Sequence, residues 1–100
     1  MATINITDKF KTEQPSIQIG EKSYPVDNSV EAVLKFEELA EGGGTKALLS
    51  ALETALGKEA YKEIGVSRLS VANLKVLTVA MMAAMQDISY EEAAARFQGK

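Results

Sequence analysis

The 100-residue sequence contains no cysteine and no histidine. That removes disulfide scaffolds, thiol nucleophiles and the usual zinc ligands, together with the side chain that most often serves as general base near neutral pH. Tryptophan is also absent, and there are only six aromatic residues and two prolines. A core must therefore come from Leu, Val, Ile and Met, and from the close helix contacts that Ala permits. Basic residues are fewer than acidic ones, 11 against 14, for a formal net charge of −3, which disfavours a nucleic acid backbone as partner. The first ten residues hold neither a basic start nor an apolar run, so no secretory signal or anchor is expected there and a cytoplasmic location follows.

One hundred residues suffice for one domain that buries roughly two-thirds of its unfolded surface. Residues 1–15 read as a flexible N-terminal segment in which Ile4 and Ile6 share one face of an extended chain. Residues 16–100 read as a single helical domain. Ser16-Ile17-Gln18-Ile19 and Ser23-Tyr24-Pro25-Val26 alternate polar and apolar residues around Gly20-Glu21-Lys22, which predicts a tight hairpin. Two strands cannot stand alone, so Ile17, Ile19 and Tyr24 or Val26 should rest on helices.

Five helices are expected after the hairpin. Asp27, Asn28 and Ser29 offer N-caps for a helix over 30–40, with Val30, Val33, Leu34 and Phe36 or Leu39 facing inward. Gly42-Gly43-Gly44 ends it as a linker, since the spacing around it lacks the Lys-Ser/Thr of a phosphate-binding loop. Thr45 is a cap for 46–56, whose Leu48, Leu49, Leu52, Ala55 and Leu56 form one stripe ended by Gly57. A short helix over 58–64 stops at Gly65. Ser70 caps 71–86, and Ser89-Tyr90-Glu91-Glu92 is a capping box for 90–97 with Ile88 as its staple. The fold class is thus mainly α, a small bundle of about five helices with an N-terminal β-hairpin.

From Val76 to Met85 the chain carries no charge, and Thr78 is its lone polar residue. A helix apolar all round must be surrounded, yet this one is too short to span a bilayer. Its apolar perimeter exceeds what a small bundle is expected to cover, which marks Leu74, Leu77, Met81, Met82, Met85 and Phe97 as candidate partner-binding residues. Methionine suits such a surface because it is unbranched and polarisable. Paired carboxylates at Glu37/Glu38, Glu59/Glu63 and Glu91/Glu92 fall on polar faces or in first turns, where the helix dipole favours acids. Gly65, Val71 and Leu74 stand at the spacing of a helix-turn-helix corner, with Arg68, Ser70, Asn73 and Lys75 as its candidate DNA contacts. A recognition helix needs a polar outer face, however, and Leu69 and Leu77 are expected to point outward there.

The order of elements, from the hairpin Ile17-Gln18-Ile19-Gly20-Glu21-Lys22-Ser23-Tyr24-Pro25-Val26 through Val30-Glu31-Ala32-Val33-Leu34-Lys35-Phe36-Glu37 to Tyr90-Glu91-Glu92-Ala93-Ala94-Ala95-Arg96-Phe97, resembles the small tail assembly chaperones of long-tailed bacteriophages and prophages over residues 16–98. The resemblance implies a non-enzymatic protein of the bacterial host cytoplasm. Such a protein coats the tape measure protein during virion morphogenesis until the tail tube protein polymerises around it. It also implies self-association along the client, without cofactor, metal, small-molecule substrate or membrane. Two other readings stand beside it: a small helix-turn-helix DNA-binding regulator, and a structural phage tail component.

Overall fold

Ile17 and Tyr24 face each other across an antiparallel hairpin of β1 (Ser16–Ile19) and β2 (Lys22–Pro25), and both are buried. Gly20 occupies the first of the two turn positions with a φ of 65°, a conformation that glycine adopts without strain. The computed structural model describes residues 2–42 and 44–98. After the hairpin come α1 (Val30–Gly42), α2 (Gly44–Leu56), α3 (Lys58–Ile64), α4 (Val71–Gln86) and α5 (Tyr90–Gln98). This is the helical bundle with an N-terminal hairpin expected from the patterning.

Ahead of the hairpin, residues 2–14 are exposed, and Ile4 and Ile6 form no strand. A 3-10 turn at Thr7–Lys9 takes their place, with Asn5 Oδ1 accepting from the Thr7 N–H at 3.0 Å and from its hydroxyl at 2.7 Å. The segment is tied down at its far end. Lys11 pairs with Asp87, Gln14 Nε2 donates to the Val26 carbonyl at 3.3 Å, and the Val26 N–H donates to the Pro15 carbonyl at 2.9 Å. Lys22 and the Tyr24 hydroxyl both reach Glu63 on α3. The charged hydrogen bond from Lys22 holds the Glu63 carboxyl below the ordinary carboxylate range, whereas burial pushes the Tyr24 phenol up.

Ser29 is the cap of α1: its hydroxyl accepts from the Ala32 N–H at 3.2 Å while Asp27 Oδ1 accepts from the Ser29 N–H at 3.1 Å. The inward face of α1 differs from the expectation. Ala32 and Phe36 are buried and Val33 and Leu39 half-buried, but Val30 and Leu34 lie exposed on the other side. At 100° per residue, a stripe through positions 32, 33, 36, 39 and 40 is contiguous, and no rotation brings 30 and 34 into it as well. The helix also runs to Gly42, and α2 begins at Gly44, so Thr45 lies inside the first turn instead of capping it. A glycine costs a helix only about 1 kcal/mol, less than the packing of two 13-residue helices against each other returns. Gly44 has a φ of 73°, and Gly43, the middle of the expected linker, lies outside the described residues.

Leu52, Val26, Val66 and Met81 are among the most deeply enclosed side chains. They join the hairpin, α2, the 3-10 turn at Val66–Arg68 and α4 into one core, with Phe36 of α1 and Leu56 of α2 beside them. The Asp27 N–H donates to the Ala55 carbonyl at 3.2 Å and fixes the hairpin exit on α2. Gly57 and Gly65, at φ of 91° and 73°, bracket α3 as expected, and Ser70 caps α4 by accepting from the Asn73 N–H at 3.1 Å.

Burial along α4 corrects the premise drawn from its composition. Leu74, Leu77, Thr78, Val79, Met81, Ala83 and Met85 are all buried within the single chain. Thr78 is satisfied by its own helix, its hydroxyl donating to the Leu74 carbonyl at 2.8 Å. Leu77 points inward and Leu69 is half-buried, while Val71, expected to seat a helix-turn-helix corner, is 70% exposed. Contact with β1 on one flank and α5 on another turns the helix so that 74, 77, 78 and 81 form its inner arc. No described helix is long and apolar enough to cross a membrane by itself.

Candidate functional site

The corner between α4 and α5 is built by four residues. Asp87 takes the left-handed conformation (φ 57°, ψ 47°), and its N–H and that of Ile88 both donate to the Ala83 carbonyl, closing the end of α4. Ser89 then caps α5. Its hydroxyl accepts from the Glu92 N–H at 3.0 Å, and the Glu92 carboxylate accepts from the Ser89 N–H at 3.2 Å, the reciprocal pair read from the sequence. Ile88 packs on Val79, Ala83 and fully buried Ala93, so one side chain closes both helix ends. Ala83 and Ala93 let the two helices approach closely, and the chain turns through 115° between them.

This turn leaves a cleft between α5, the end of α4 and the outer part of α1. It encloses about 260 Å³ and is walled by Val33, Phe36 and Ala40 from α1, Met82 and Met85 from α4, and Phe97 from α5. Glu37 and Glu41 stand on one rim, Gln86 and Arg96 on the other, with Arg96 Nη1 donating to Gln86 Oε1 at 3.0 Å. Small-molecule sites generally enclose about 300–1,000 Å³. The cleft is the size of one or two apolar side chains, open at its mouth and charged at its edges. Its chemistry is that of a receptor for anchors on an amphipathic segment.

Of the six residues singled out from the sequence, Met82, Met85 and Phe97 line this cleft. The other three do not meet it. Leu74 and Met81 lie in the core, and Leu77 is buried at the base of a second apolar groove of about 320 Å³, shared with Ile17, Ile19, Ile64, Leu69, Val76 and Ala80. Val33, Phe36 and Ala40 were missed as cleft residues. Their 3-4 spacing, flanked by Glu37 and Glu41 on the same helix, was the available signal. Arg68, Ser70, Asn73 and Lys75 are all exposed around the start of α4, and the Ser70 hydroxyl is engaged in the cap. Among the described residues, no group of three acidic, histidine or cysteine side chains could hold a metal ion.

Ser89→Ala removes one half of the capping box and should cost about 1 kcal/mol, lowering the thermal midpoint by roughly 4–8 °C in a domain of this size. A scan of the purified variant measures it. An unchanged midpoint would mean that α5 is not held by its cap. No protein-family model, curated protein or solved structure matches this chain.

Proposed function

We propose that this chain is a tail assembly chaperone of a long-tailed phage or prophage, acting without catalysis in the bacterial cytoplasm to keep the tape measure protein soluble until the tail tube forms. The carrying observation is the cleft: Met82, Met85, Phe36 and Phe97 around an open apolar volume, with Glu37 and Glu41 beside it. Adaptable methionines and two aromatic rings accept apolar side chains at helical spacing, and the acidic rim favours anchors flanked by Lys or Arg. The element order from hairpin to Tyr90–Gln98 helix supports the same reading through its resemblance to that family. A small cleft gives a weak single contact, so a long client would be held by many copies and by avidity.

Co-expression with the tape measure protein of the neighbouring reading frame tests the proposal. The native chain should raise the client's soluble fraction and co-purify with it. Met82→Glu, which puts a charge into the wall of the cleft, should abolish co-purification while its circular dichroism stays native. No gain in solubility with the native chain overturns the reading. Its presence at stoichiometric amounts in finished particles would replace the chaperone with a structural tail component.

A further inference from the structure

Among the described residues, two helix faces outside the cleft expose apolar side chains and carry opposite charge. On α1, Val30 and Leu34 are 75% and 60% exposed. They lead into Glu38 and Glu41 at helical spacing, with Glu31 and Glu37 on the flanks and a single cation, Lys35. On α4, Val71 and Val76 are 70% and 52% exposed, and Ala72 and Lys75 lie between them on the arc opposite Leu74 and Leu77. Arg68 is exposed just ahead, and no acidic residue occurs from Ile64 to Gln86. Among the described residues the ion pairs are Lys11–Asp87 and Lys22–Glu63, so the charges framing both faces stand unneutralised within the chain.

We infer that the acidic face of α1 docks on the basic face of α4 of a second copy of this chain. Val30 and Leu34 then pack over Ala72 between Val71 and Val76, where the small side chain permits close helix approach. Glu31 and Glu38 meet Arg68 and Lys75 at the rim, where opposite charge sets register and excludes like-with-like pairing. Each copy presents both halves of the contact. The pairing supplies the lateral association that the proposed coat requires, but Val30, Glu31, Leu34 and Glu38 lie outside the cleft, which Glu37 and Glu41 border, and its test needs no client.

Sedimentation velocity of the purified chain over a concentration series is the experiment. The native protein should associate at low salt. It should dissociate towards about 1 M salt, where the screening length falls to about 3 Å. Reversing the acidic face (Glu31→Lys with Glu38→Lys) or the basic face (Arg68→Glu with Lys75→Glu) should each weaken association at least about tenfold. An equimolar mixture of the two reversed chains should associate again, since each then meets an opposite face. These substitutions are on exposed positions, and circular dichroism checks the fold of each. A native chain that stays monomeric at low salt overturns the inference, as does association indifferent to both reversals or a mixture that stays apart. A duplex DNA shift at low salt, lost in the Arg68/Lys75 variant, would also overturn it by assigning the basic face to nucleic acid.

Discussion

Met81→Ala should lower the thermal midpoint by roughly 15 °C, whereas Met82→Ala, its immediate neighbour, should move it by only a few degrees. Met81 is 0% exposed and touches the core shared by the hairpin, α2 and α4. Truncating a buried methionine to alanine costs about 2–5 kcal/mol, the lost transfer energy plus a cavity that rigid neighbours fill incompletely. In a domain of about 100 residues each kcal/mol shifts the midpoint by roughly 4–8 °C. Met82 lies about 100° around the helix, half-buried in the wall of the cleft, and its removal widens an existing opening instead of creating a void. Thermal unfolding of both variants, with Met81→Leu as a volume-conserving control that should cost less than about 1.5 kcal/mol, reads the difference. Equal losses at 81 and 82 would place both side chains in the core and remove the wall on which the cleft depends.

That pair also shows where the sequence stops being informative. Helix ends are legible because they are local. Ser70 and Ser89 cap as read, and Gly57 and Gly65 stop helices with the positive φ that suits glycine. The orientation of α4 is not local. A segment uncharged from Val76 to Met85 carries no periodicity to distinguish inner from outer face, so tertiary neighbours decide it. They bury Met81 and Leu77 and expose Val71, the reverse of the helix-turn-helix spacing at two positions. The same limit explains α1, where apolar residues occur on both faces: the pattern places Val33 and Phe36 inside, as found, but only packing reveals that Ala32 joins them while Val30 and Leu34 are out. The candidate site was therefore half legible. Met82, Met85 and Phe97 follow from the apolar run and the last helix, but the wall from α1 depends on how α5 folds back at Asp87.

Phe36→Ala should be the more damaging of the two aromatic truncations in the cleft, lowering the midpoint by about 15 °C or more, while Phe97→Ala should cost about 1–2 kcal/mol. Phe36 is buried in the main core and forms the floor of the cleft, so its loss combines removal of a large ring with a cavity, about 3–5 kcal/mol. Against a total stability of about 5–15 kcal/mol for a domain, that brings the chain towards partial unfolding at physiological temperature. Phe97 is half-buried in the last turn of α5, and its ring is one wall of an opening already in contact with solvent. The functional consequence separates them further. Phe97→Ala should keep the fold and reduce client retention, whereas Phe36→Ala should lose both together. Phe36→Leu, which keeps most of the buried volume, should restore stability while leaving the floor of the cleft reshaped. Denaturant unfolding beside the co-purification assay reads stability and retention independently. If Phe97→Ala left client capture intact in a folded protein, the client would be held somewhere other than between α1, α4 and α5.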